Sequence, residues 1–229
     1  MNLSKTIQVH GDDAIAMAPR LRLVLASNNA GKLAELQVLF AALPLNLVAQ
    51  PALGVSEAEE PHATFLENAL AKARHAARAS GGAALADDSG LCVDALGGAP
   101  GVISAHYAEV TLPAGDREAQ RRVQDEANNR LLLQRLQGAA SRRAGFVCTL
   151  VALRSADDPQ PLVATGRWWG ELLDAPRGAG GFGYDPLLYI PALGRTVADL
   201  PRELKNAHSH RALACAQMLG LMRDAWALV

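Results

Sequence analysis

Apolar positions along this 229-residue chain change spacing so that strands and helices alternate. Leu21-Arg22-Leu23-Val24-Leu25-Ala26 reads as a buried strand. Leu33, Leu36, Phe40 and Leu43 follow at intervals of three, four and three, one face of a helix over 30–42. A strand is expected at 45–49, then an acidic loop with Glu57, Glu59 and Glu60. A long helix from about Thr64 to Ala79 ends at Ser80-Gly81-Gly82. Short strands at 83–87 and 91–94 flank a polar turn at Asp88-Ser89-Gly90, and the glycine- and proline-rich stretch 97–101 is irregular. The charged residues 116–136 form a surface helix, 145–154 and 161–173 a pair of strands, and 176–186 a glycine-rich loop. From about His208 the chain is helical, with Ala212, Cys215, Leu219, Met222 and Trp226 forming one buried stripe. Helices between strands imply an α/β fold, and the long strands over 145–173 imply a mixed β-sheet.

Composition narrows the class. With 50% hydrophobic and 20% charged residues the chain can build a substantial core, as one large domain or two small lobes. Residues 1–20 read as an N-terminal extension and 21–229 as a single domain. The first 19 residues include Asp12 and Asp13 and lack a continuous apolar run, so they do not read as a secretory signal. Cys92, Cys148 and Cys215 are odd in number and widely spaced, which argues against a disulfide framework or zinc site and fits a reducing cytoplasm. No stretch approaches the roughly 18 to 20 apolar residues of a membrane span. A net charge of −1 with no basic stripe speaks against nucleic acid as a partner.

Ser27-Asn28-Asn29-Ala30-Gly31-Lys32 stands where the first strand hands over to the first helix. The first amides of a helix lack internal partners and carry partial positive charge. A polyanion there would collect those amides and the Lys32 ammonium, so phosphate is the ligand class that suits the junction. A plain helix N-cap by Asn28 or Asn29 fits the same residues. A Walker A loop does not, because Ala26 and Leu33 occupy the places of its glycine and its Ser or Thr.

Four further segments carry candidate chemistry. In Asp87-Asp88-Ser89-Gly90, successive strand residues point to opposite faces, so one carboxylate can meet a metal or a water proton while the other braces the backbone. These residue types also make ordinary turns. Glu59-Glu60-Pro61 offers a second carboxylate for Mg²⁺, or a solvated acidic loop. Lys72 shares a helix face with Phe65, Asn68, Ala69 and Ala76, and either snorkels to the surface or points into a polar cleft. Gly178 to Gly183 matches G-x-G-x-x-G without the strand and helix that a dinucleotide site needs. It reads instead as a loop that brings Phe182 and Tyr184 to a flat ligand, with Asp185 as an acceptor, or as a surface loop with an aromatic anchor. Lys205, His210 and Arg211 place cations near a helix start, where an anion among them would explain them.

Taken together, SNNAGK (27–32), EEPHATFLENALAKARHAA (59–77), ADDSGLCVDALGGAPGVISA (86–105), GGFGYDPLLYIP (180–191) and KNAHSHRALA (205–214) resemble the inosine triphosphate pyrophosphatases, or XTP/dITP diphosphatases. The five stretches run in the family's order and span nearly everything from Leu21 onward. The resemblance implies two lobes flanking a central substrate cleft, a homodimer, and Mg²⁺-dependent hydrolysis of ITP, dITP or XTP to the monophosphate and pyrophosphate. It implies that Ser27, Asn28, Asn29, Ala30, Gly31 and Lys32 hold the triphosphate and that Lys72 also reaches it. Asp88 would be the proton acceptor and a metal contact, and Glu59 or Glu60 the other metal carboxylate. Ser89, Phe182, Gly183, Tyr184, Asp185, Lys205, His210 and Arg211 would touch substrate. One departure stands out: where relatives often carry arginine after Ser104-Ala105, this chain has His106. Two other readings share the phosphate loop: a pyrophosphatase for modified pyrimidine nucleotides, and a nucleotide sensor that does not hydrolyse.

Overall fold

The computed structural model describes residues 20–228, apart from the side chain of Ala30, so the expected extension lies outside them except for Arg20. Seven strands form one sheet: β1 (Leu21–Leu25), β2 (Leu45–Ala49), β3 (Ala83–Val93), β4 (Arg143–Leu153), β5 (Leu162–Leu172), β6 (Leu188–Ile190) and β7 (Arg195–Thr196). Their order is β2-β1-β3-β4-β5-β6-β7. β1 runs parallel to β2 and β3, and every later pairing is antiparallel, so the sheet is mixed. Among the described residues five α-helices accompany it: α1 (Ala30–Leu39), α2 (Phe65–Ser80), α3 (Arg117–Arg135), α4 (Arg202–His208) and α5 (His210–Trp226). None of the helices described is long and apolar enough to cross a membrane.

Local chemistry sets the helix ends. Thr64 caps α2: its Oγ1 accepts the Glu67 amide at 3.2 Å and donates to the Glu67 carboxylate at 2.6 Å. Gly81, in the left-handed region at φ 65°, closes the helix. α1 stops at Leu39, three residues short of the expected end. Leu43 precedes Pro44, which disfavours helical backbone at the residue before it, yet Leu43 still reaches the core.

The expected turn at Asp88-Ser89-Gly90 is not there; β3 is one continuous strand of 11 residues. β4 pairs with it from Ala84↔Leu153 to Val93↔Ala144, and that unbroken ladder overrides the local turn preference. Gly90 serves close approach instead. A Cβ on it would collide with the Gly101 carbonyl and with Ser104 Oγ, in the 3₁₀ turn Gly101–His106 that lies against β3.

Apolar packing divides into two bodies along the long strands. One end holds Leu85 of β3, Leu150 of β4 and Ala164 of β5 with Leu36 of α1 and Met218 of α5 on one face. On the other face, Ala69, Ala73, Ala76 and Ala77 of α2 pack on Ala84 and Ala86. The far end gathers Leu91, Phe146, Trp168, Leu187, Leu188 and Leu132 of α3. Between the two cores, β3 carries Asp87, Asp88 and Ser89. The sheet therefore has a polar waist between apolar lobes.

Candidate active site at the waist of the sheet

β1 ends at Leu25, opposite Leu85, and the Ala26 amide makes the last bond to the Leu85 carbonyl at 2.8 Å. Farther along, the Leu91 amide is taken by Ser104 Oγ at 2.9 Å. Among the described residues, the stretch of β3 between them has no neighbouring strand on that side. The open edge at Asp87, Asp88 and Ser89 lies beyond the carboxyl end of the parallel strand β1, where open α/β sheets place ligands.

The two aspartates point to opposite faces, and each meets its own cations. Asp87, fully buried, pairs through Oδ1 with Lys32 and through Oδ2 with Arg211 Nε at 3.2 Å. It also accepts from Ser89 Oγ at 2.9 Å and Cys148 Sγ at 3.1 Å. Asp87 thus braces side chains rather than the backbone. Burial alone would raise its carboxyl; the Lys32 and Arg211 charges outweigh burial and hold it well below the usual carboxylate range. On the other face, Lys72 Nζ donates to Asp88 Oδ1 and Glu60 Oε2, each at 3.0 Å. Lys72 is 8% exposed, so it points into the polar cleft and does not snorkel outward. Burial lowers its affinity for the proton, but Asp88, Glu60 and Asp87 together leave it raised. Burial pushes the Asp88 carboxyl up to about 6; Lys72 draws it down and Glu60 pushes it further up. Asp88 Oδ2 is buried without a partner among the described residues.

In the loop before α1, side chains shape the turn. Ser27 Oγ accepts the Asn29 amide at 3.2 Å, and Asn28 Oδ1 accepts from buried Gln50 Nε2 at 3.0 Å. Asn29 is the N-cap, its Oδ1 taking the Lys32 amide at 3.1 Å. By helix geometry the amides of Ala30 and Gly31 have no carbonyl inside α1, so they remain to face an anion.

The cations near the last helix already have anions among them, supplied by the chain. Arg211 is buried, donating to Glu35 Oε2 at 2.8 Å as well as to Asp87. Lys205 Nζ pairs with buried Asp185 at 2.6 Å. His210 is not the expected cation: it is buried, its ring stacked on Phe146 at 5.0 Å. Burial, and then the positive charges of Arg211 and Lys205, hold its imidazole neutral. The aromatic pair in the glycine loop splits. Phe182 is 45% exposed, with Lys205 over its ring at 4.9 Å, whereas Tyr184 is buried and donates its hydroxyl to the Ser104 carbonyl at 2.9 Å. The Tyr184 ring is a core anchor, so any ligand contact from Tyr184 falls to its backbone. Glu60 reaches Lys72, while Glu59 is exposed with no ion pair among the described residues. His106 is exposed at the end of its 3₁₀ turn.

Comparison with known proteins covers most of the chain. The Ham1 family model matches residues 23–221. The chain belongs to the Ham1 family. It is 74% identical to the dITP/XTP pyrophosphatase of Methylibium petroleiphilum, over 90% of this chain and 99% of that one. Identity to the dITP/XTP pyrophosphatase of Leptothrix cholodnii is 68%, over 91% of this chain and all of the other. A HAM1 protein from Coxiella burnetii has a solved structure that superposes with a TM-score of 0.81 at 41% identity, covering 89% of this chain and 99% of that one.

Within this Ham1 chain, Glu60 and Asp88 are the carboxylates that could share a divalent cation. Two protein oxygens suit Mg²⁺, which keeps most of its shell for water and phosphate. The unpartnered, buried Asp88 Oδ2 is the acceptor such an ion would satisfy. Sequence reasoning missed Glu35, Asp125 and the role of Asp87. Glu35 stands one helical turn after Lys32, a spacing that brings both to the same face of α1. No spacing rule links Lys32 to Asp87, 55 residues away.

Proposed function

We propose that this protein hydrolyses noncanonical purine nucleoside triphosphates, ITP, dITP and XTP, to the monophosphate and pyrophosphate with Mg²⁺ in the cytoplasm. The observation that carries the reading is the buried Lys72–Asp88 pair, joined by the exposed Glu60 and with one Asp88 oxygen unpartnered among the described residues, beside the loop that ends in Lys32. Its support is the family and the activity for which the 74% and 68% identical relatives are named.

The triphosphate lies along the helix end at Ala30 and Gly31, within reach of Lys32 and Lys72. Lys72 gives two of its three protons to carboxylates, leaving one for a phosphate oxygen. Glu60 and Asp88 would hold Mg²⁺, which would supply charge neutralisation to the phosphate oxygens. Water attacks the α-phosphorus, the bond from that phosphorus to the α,β-bridging oxygen breaks, and Asp88 takes the proton released by the water. Lys32 and Lys72 stabilise the charge that develops on the departing pyrophosphate. The purine stacks on the exposed ring of Phe182. Its 6-oxo group and protonated N1 reverse both hydrogen-bond senses of adenine, and each mispaired buried group costs roughly 1 to 3 kcal/mol.

A second copy of the chain is the partner the family implies. Val163 and Trp169 lie exposed on the outer face of β5, a surface suited to burial between copies.

The test is pyrophosphate release across ITP, XTP, GTP, ATP and a modified pyrimidine triphosphate, with and without Mg²⁺. ITP and XTP as best substrates, only with Mg²⁺, supports the reading. ATP or the pyrimidine as best substrate, or binding without release, overturns it.

A further inference from the structure

α3 presents Arg121, Asp125 and Asn129 at successive i, i+4 positions on one face, and all three reach the glycine loop. Asp125 Oδ2 accepts the Gly183 amide at 2.8 Å, and Asn129 Nδ2 donates to the Gly183 carbonyl at 3.0 Å. Both polar groups of one loop residue are therefore gripped by side chains one helical turn apart. Gly183 has φ +60°, a conformation an L side chain rarely adopts, so the loop needs glycine here as well as the grip. The residue before it, Phe182, has its amide held by Asp185 Oδ2 at 3.0 Å and its ring under Arg121 at 4.8 Å. Because that ring is half exposed, apolar packing alone does not fix its orientation; the Arg121 and Lys205 cations over its face and the polar contacts around its backbone hold it as well.

We propose that Asp125 and Asn129 are positioning residues that hold Gly183 so that the Phe182 ring stands ready to receive the purine. The inference rests on the purine-triphosphate reading above and adds residues that never touch substrate. A bound base meets a ring already oriented, so the cost of ordering the loop does not fall on binding. Removing the grip should weaken the base end of the site and leave the phosphate end, at Lys32 and Lys72, as it was.

The experiment compares wild type with Asp125→Ala, Asp125→Asn and Asn129→Ala. It measures kcat and KM for ITP, and inhibition by IMP and by inorganic tripolyphosphate, with thermal unfolding to confirm folding. For Asp125→Ala we expect KM for ITP and the IMP inhibition constant to rise on the order of tenfold. kcat and tripolyphosphate inhibition should stay within about threefold, the pattern of lost uniform binding. Asp125→Asn keeps an acceptor for the Gly183 amide and should restore near-wild-type values, which a role through charge would not allow. Unchanged KM in Asp125→Ala, or equal weakening of IMP and tripolyphosphate, overturns the proposal. If Asp125→Ala fails to fold, Asn129→Ala is read by the same criteria. A wild type that releases no pyrophosphate from ITP or XTP defeats the functional reading itself, a result distinct from an active wild type whose variants match it.

Discussion

Asp88 and His210 are both titratable groups at the waist, and burial moves them in opposite directions with opposite consequences for the fold. The Asp88 carboxyl is raised to about 6, so on lowering the pH the folded chain takes up this proton before the unfolded chain does. Its contribution to stability is present at low pH and is lost as pH rises through 4 to 6. The His210 imidazole is held well below its usual value, so the unfolded chain takes up that proton first. Its contribution is present above about pH 6.5 and is lost as pH falls below it, at about 1.4 kcal/mol per pH unit. Urea unfolding from pH 7.5 to 4.5 tests both. The stability gap between wild type and His210→Asn should narrow as pH falls, and the gap between wild type and Asp88→Asn should move the other way. Parallel behaviour of the two variants would refute the assignment. In turnover, Asp88→Asn should cost on the order of 10²- to 10⁴-fold in kcat while ITP still binds, measured by pyrophosphate release and calorimetry. Periodicity places Lys72 on one helix face and sets Asp87 and Asp88 on opposite faces of a strand. Whether Lys72 enters the cleft, and which aspartate it meets, depends on the packing of α2 against β3 and is not legible in the sequence. Nor is the neutrality of His210, since its ring packs on Phe146, 64 positions earlier in the chain, and no local pattern reports that burial.

Among the elements, the strands and helices read from periodicity reappear with ends shifted by a few residues, and the departure at β3 is instructive. Asp, Ser and Gly favour turns only while no ladder claims their backbone, and β4 claims all of them. Glycines mislead in the same way, because sequence does not say whether a glycine serves φ or proximity. Gly166 and Gly220 separate the cases. A Cβ at Gly166 would strike the His210 carbonyl and the Ala214 amide, where α5 lies directly on β5. Gly220 sits in α5 with open space around the place of its Cβ. Gly166→Ala should therefore destabilise by roughly 1 to 3 kcal/mol as α5 is displaced. Gly220→Ala should stabilise by about 0.5 to 1 kcal/mol from the gain in helix propensity. Denaturant midpoints with unchanged m-values check both. A stabilised Gly166→Ala would mean that α5 is not seated on β5 as described.

At the scale of the whole molecule, the waist makes binding a property of two cores at once. The loop at 27–32 grows from β1, whose side chains pack in the first core, whereas Tyr184 and Leu187 anchor the glycine loop in the second. A nucleotide with its phosphates at Lys32 and its base on Phe182 must span both lobes. Either half of the ligand touches only one. Amide hydrogen exchange distinguishes these arrangements, because local opening is slowed only where a ligand holds the backbone. An ITP analogue with a non-hydrolysable α,β-imido link should slow exchange at 27–32 and at 180–185 in the same complex. Tripolyphosphate alone should protect 27–32 and leave 180–185 as in the free protein. At 100 times its dissociation constant the analogue should also add about 2.7 kcal/mol of stability, by mass action on the folded state. Protection confined to one lobe, with the full stabilisation present, would show that the ligand does not bridge the waist. The separation of Lys32 from Phe182 along the chain would then have no bearing on substrate recognition.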